Sequence, residues 1–86
     1  LALFERQIGL LMDRIEPASG PVAAAAAHTL KGSAQGVGAF ALANAASRVE
    51  QAAMSGDAAV QAEGVDGLRL AIRDTRAEIA GLLSPA

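Results

Sequence analysis

Apolar residues recur along this chain at intervals of three and four, the spacing that lines one face of an α-helix. Phe4, Ile8, Leu11 and Ile15 form the first stripe, with Glu5, Arg6, Asp13 and Arg14 lying off it. They predict a helix from about residue 2 to Glu16, ended by Pro17 and the Ala18-Ser19-Gly20 run. Pro21 suits the first turn of a second helix, where its missing N–H costs nothing, and Ser19 or Gly20 is the expected cap. That helix should fail at Gly36-Val37-Gly38. A third begins near Ala39 or Phe40, sets Leu42, Ala46, Val49 and Ala53 on one face, and closes at Ser55-Gly56. Asp57 is a good N-cap for a fourth, whose inward series is Val65, Leu68, Ile72, Thr75, Ile79 and Leu82, with Ser84-Pro85 at its end. Gly64 and Gly67 weaken its first half, which is where it could break. Valine and isoleucine never alternate with polar residues in a sustained period of two, so no strand is predicted. Four amphipathic segments on short turns make an all-α fold, an antiparallel up-and-down four-helix bundle, with residues 1–86 as one domain.

The second helix carries the feature that does not serve the core. At about 100° per residue, Val22, Ala26, Leu30, Ser33 and Val37 fall within an arc of roughly 80°, an apolar or small-residue stripe suited to facing inward. His28 lies about 160° from the middle of that stripe and so points at solvent. Around it stand Gln35 at about 20°, Gly32 at about 40° and Lys31 at about 60°. Glycine on an exposed helical face costs about 1 kcal/mol relative to alanine. A chain that places alanine at every position from Ala23 to Ala27 uses glycine here for the space it leaves beside the ring.

Composition narrows what such a histidine could serve. Eighty-six residues allow a small core, and the sequence is 52% hydrophobic with only Phe4 and Phe40 aromatic, which favours thin, closely packed helices. A net charge of −2 argues against nucleic acid as a partner. No apolar run is long enough to span a bilayer and no secretory signal is visible, so the expected location is the cytoplasm, away from membranes. Without cysteine there is no disulfide and no thiolate metal site.

His28 is the only histidine, and no carboxylate pair lies near it in sequence, so no metal is expected on this chain. Ser33 sits about 140° round the helix and cannot form a Ser–His dyad within it. Gly32, Gly36 and Gly38 lie at a helix end with no strand before them, unlike a phosphate-cradling loop. What remains is one exposed nucleophile. Neutral imidazole can attack a phosphoryl group without a dedicated base. The product carries roughly two negative charges, which Lys31 on the next turn can partly offset. Gly32 leaves room for the phosphoryl group and an incoming active site. Gln35 could hydrogen-bond a phosphoryl oxygen or orient the ring. The chain needs no cofactor of its own, because an acceptor bearing an aspartate could bring Mg²⁺.

The segment from Ala27 to Ala39, AHTLKGSAQGVGA, closely resembles the signature of the histidine-containing phosphotransfer (HPt) domain of bacterial multistep phosphorelays. That signature is a histidine, a lysine three residues on, a glycine four on and a second glycine ten on, matched here by His28, Lys31, Gly32 and Gly38. Leu42, Val49-Glu50 and Gly56-Asp57 resemble the family's downstream leucine, Leu-Glu and Gly-Asp pattern. Gln35 departs from the small residue that many members carry, and many members have an extra N-terminal helix. The resemblance implies a four-helix bundle phosphorylated on the far-ring nitrogen, Nε2, exchanging phosphoryl groups reversibly with receiver-domain aspartates and having no autokinase activity. It makes His28 the phosphoacceptor, Lys31 the charge partner and Gly32 the clearance residue. The implied partners are response-regulator receiver domains and a hybrid histidine kinase. Two other readings stand beside it: the phosphotransfer domain of a chemotaxis-type histidine kinase, and a helical interaction module whose histidine is never phosphorylated. The dimerisation helices of an orthodox sensor kinase fit less well, because Thr29 follows His28 where an acidic residue normally stands.

Overall fold

The computed structural model describes residues 2–15 and 20–83. Four helices follow one another: α1 (Ala2–Ile15), α2 (Pro21–Gly36), α3 (Phe40–Ser55) and α4 (Ala58–Leu83), with no strand among the described residues. Each packs along the next and α4 returns to α1, giving an elongated bundle of 46 × 19 × 19 Å. Glu16, the Pro17 and Ala18-Ser19 positions expected to end the first helix and cap the second, the Leu82 side chain and the Ser84-Pro85 stop lie outside the described residues.

Local chemistry accounts for the turns. α2 ends where Gly38 adopts φ +78°, a left-handed conformation that a Cβ disfavours. With Gly38 turned this way, its N–H donates to the Gln35 carbonyl at 3.1 Å and the Ala39 N–H donates to the Ala34 carbonyl at 2.8 Å. These are the paired bonds of a Schellman motif, which satisfies carbonyls the helix end would leave orphaned. Gly56 closes α3 in the same left-handed region. Asp57 then caps α4 as expected, its Oδ1 accepting from the N–H groups of Ala59 at 2.9 Å and Val60 at 3.2 Å. Gly20 precedes Pro21 at the start of α2 without a side-chain cap, and its carbonyl accepts the Ala24 N–H at 3.0 Å.

The stripes of α1, α3 and α4 meet in one core containing Phe4, Ile8, Leu11 and Ile15, then Leu42, Ala46 and Val49, then Val65, Leu68, Ile72 and Ile79. Leu30, Leu42 and Leu68 are fully buried, each contributing roughly 1.5–3 kcal/mol of hydrophobic stabilisation. α2 departs from its expected register. Ala26 and Leu30 face inward, but Val22 and Val37 are exposed and Ser33 only half-buried, while Ala23, Ala27 and Ala34 are fully buried. The helix is rotated by roughly 50° towards α3, because the alanines let the two backbones approach closely where valines would hold them apart. α4 runs unbroken through Gly64 and Gly67. Gly64 faces α3, where a Cβ would lie 3.5 Å from Val49, so packing against α3 supports the helix where propensity is weak. Phe40, at the first turn of α3, is 66% exposed.

Candidate functional site

His28 lies midway along α2, and its side chain is 65% exposed, so the rotation of the helix leaves its outward placement intact. Beside it runs α3, antiparallel, which brings Glu50 level with the ring. Glu50 follows the buried Val49 and is the only acidic residue of α3, so its stem leaves the core edge and its carboxylate reaches across the α2–α3 seam. His28 Nδ1 donates to Glu50 Oε2 at 2.9 Å. A carboxylate can only accept, so in the neutral ring a hydrogen bond here puts the proton on Nδ1 and leaves the lone pair on Nε2, across the ring from Glu50.

The second Glu50 oxygen, Oε1, lies 3.8 Å from the Lys31 ammonium. One carboxylate thus serves both the histidine and the lysine one turn beyond it. Glu50 and Lys31 are half-buried, with side-chain exposures of 23% and 29%, so their stems are held while the charged ends reach water. At 3.8 Å the lysine contact is longer than a hydrogen bond, and such a pair contributes about 1 kcal/mol or less. The ammonium is therefore loosely tethered next to the ring.

Gly32 is exposed, and a Cβ built on it would meet no atom within 4 Å. No neighbouring helix requires a glycine there. Gln35 is exposed further along the same face, and its side chain makes no hydrogen bond among the described residues. Thr29 is used within its own helix, its hydroxyl donating to the Ala25 carbonyl at 3.1 Å. Among the described residues no three His, Cys, Asp or Glu side chains gather closely enough to hold a metal ion. The residues that the sequence grouped by helical angle, His28, Lys31, Gly32 and Gln35, do share one face. Glu50 completes the group from another helix. Its signal in the sequence is its place as the lone acid of α3 beside a core valine, which sets its distance from the core but not its partner.

An exposed imidazole facing a carboxylate through Nδ1, with a lysine within a turn and open space at Gly32, is suited to accept a transferable group on Nε2. Comparison with known protein families matches residues 2–78, all of α2 and α3 included, to the Hpt domain. The chain belongs to the Hpt family. Hpt domains perform histidine phosphotransfer in two-component phosphorelays and interact there with receiver domains and kinases. The Gly38 of the Hpt signature finds its physical reason in the left-handed stop of α2. Comparisons with curated proteins and with solved structures gave no match. No helix among the described residues is long and apolar enough to cross a membrane.

Proposed function

We propose that this Hpt domain relays a phosphoryl group between receiver-domain aspartates, with Nε2 of His28 as the acceptor atom. The observation that carries the reading is the 2.9 Å bond from Nδ1 to Glu50 on an otherwise exposed ring. The Nε2 lone pair forms the N–P bond as the P–O bond to the donor's aspartyl carboxylate breaks, and the carboxylate leaves with the bonding pair. The proton stays on Nδ1, so the ring becomes cationic as the bond forms, and Glu50 lies where that charge develops. Lys31 swings from Glu50 towards the phosphoryl oxygens, Gly32 keeps their approach clear, and Gln35 can donate to one of them. Transfer onward is the same step reversed on a second aspartate. Mg²⁺ would come with the receiver, whose aspartate and phosphoryl oxygens it binds.

The surface around His28 suits a docking partner. Phe40, Ser47 and Met54 are spaced by seven, so they stand in one row on α3 beside Glu50. Phe40 and Met54, 66% and 75% exposed, place large apolar groups at its two ends. The corresponding setting is the cytoplasm, where receivers and the kinase domains that supply them are found.

The test is phosphoryl uptake from the phosphorylated receivers of the source organism, followed by rapid quench. At least one receiver should convert the domain to a form whose phosphate is acid-labile and alkali-stable. His28→Gln should abolish uptake and leave the melting temperature nearly unchanged, because an exposed side chain rarely contributes more than about 0.5 kcal/mol. No uptake from any receiver would favour the unmodified interaction module. Uptake only from ATP through an attached kinase domain would favour the chemotaxis-type reading.

A further inference from the structure

The bundle is not closed equally on all sides. α1 packs along α2 but meets α4 at few places, and the seam between α1 and α4 opens into a groove of about 440 Å³. Ile8, Met12 and Ile72 form its apolar floor, and Gly9 leaves the α1 wall as bare backbone. Arg69, Arg73 and Arg76 line the opposite wall, while Asp13 is the only acid in the lining among the described residues. The chain as a whole carries a net charge of −2 with seven basic residues, so three arginines in one groove stand against its overall charge. Arg73 and Arg76 are the two that the chain holds least. Arg73 lies 3.6 Å from Asp74 in a largely exposed pair, the kind of contact worth about 1 kcal/mol or less, whereas Arg69 is engaged within the chain, by Asp66 at 3.6 Å among other contacts.

We propose that this groove docks an amphipathic helix of a partner protein, apolar on the face it lays over Met12 and acidic along the edge that meets α4. Arg69, Arg73 and Arg76 fall at i, i+4 and i+7, a row about 10 Å long on one side of α4. A helix lying along the seam with Asp or Glu at the same spacing meets Arg73 and Arg76 and borders Arg69, and arginine's planar fork can engage a carboxylate through two N–H groups. Met12, half-buried with a flexible thioether, can repack beneath an incoming side chain. The open α1–α4 seam lies across the bundle from the α2–α3 seam that holds His28 and Glu50. A partner can therefore sit in the groove while a receiver occupies the histidine face, which makes the groove a tether for the relay and not a competitor with it.

The probe is a fluorescein-labelled designed helical peptide with leucines along one face and glutamates at i, i+4 and i+7 on its edge, paired with a twin carrying lysines in place of the glutamates. Fluorescence anisotropy against the intact domain should show saturable binding of the glutamate peptide, weakened by salt. Arg73→Glu/Arg76→Glu should lower that affinity about tenfold or more and raise the affinity for the lysine twin. Arg73→Gln/Arg76→Gln, which removes charge without reversing it, should fall between the two and serves if the reversed variant folds poorly. Phosphoryl uptake at His28 should be unchanged in both variants. The proposal is overturned if the glutamate peptide fails to saturate or binds the reversed variant equally well. Slowed uptake at His28 would instead make the arginines part of the receiver contact, and preferential binding to phosphatidylglycerol vesicles would make them a lipid contact. A concentration-dependent dimer that excludes the peptide would assign the groove to a second copy of the chain.

Discussion

Removing Glu50 separates the chemistry of the site from the stability of the bundle. In the resting domain its carboxylate is partly exposed, and its ties to His28 and Lys31 together hold the fold by about 1 kcal/mol or less. During transfer the same carboxylate faces a ring that is becoming cationic, and a hydrogen bond to a charged group is worth about 1.5–3 kcal/mol. Glu50→Ala should therefore slow receiver-to-histidine transfer by roughly 10- to 100-fold, since about 1.4 kcal/mol on the barrier is a factor of ten. The melting temperature should fall by no more than about 4–8 °C. Glu50→Gln retains an acceptor for the Nδ1 proton but not its charge, so its rate should lie between wild type and alanine. Rapid-quench transfer from a phosphorylated receiver measures the rates, and ring ¹⁵N shifts of His28 report where the proton sits. Wild type should hold it on Nδ1, and the alanine variant should show it redistributed towards Nε2. Wild-type transfer in Glu50→Ala would refute the role assigned to the 2.9 Å contact. So would a redistributed proton with no loss of rate, because the carboxylate would then orient the ring without aiding the reaction.

Five further substitutions follow from the same geometry. Lys31→Ala should shorten the phosphohistidine half-life several-fold while the circular dichroism melt stays within about 1 kcal/mol of wild type; an unchanged half-life removes Lys31 from the mechanism. Gly32→Ala should stabilise the domain by up to about 1 kcal/mol, because the added methyl meets open space. Gly32→Gln should fold equally well yet transfer poorly, and wild-type transfer in that variant would dismiss the clearance argument. Gly38→Ala forces a Cβ into φ +78° and should cost about 1–2 kcal/mol, whereas Gly36→Ala, helical and unobstructed, should be neutral or stabilising. Equal melting temperatures for that last pair would show that the Schellman stop does not depend on glycine.

Much of this molecule could be read before any coordinates. The stripes of α1, α3 and α4 are carried by Leu, Ile, Val and Phe, whose large transfer free energies leave one choice of inward face. The caps and stops at Asp57, Gly38 and Gly56 are chemical, set by a side-chain oxygen or a backbone that needs no Cβ. His28 could be placed outside because Leu30, two residues on, had to be inside. The tertiary structure decided what depends on distances between helices. Alanine is indifferent to which flank it presents, so the register of α2 followed from how closely α3 could approach, burying Ala23, Ala27 and Ala34 and exposing Val22 and Val37. α4 survives Gly64 because α3 packs against it, a contact that intrinsic propensity does not contain. The pairing of His28 with Glu50 spans 22 positions of chain. Periodicity tells how far each residue stands from its own core stripe, and only the antiparallel offset of α2 and α3 determines that the two stand level.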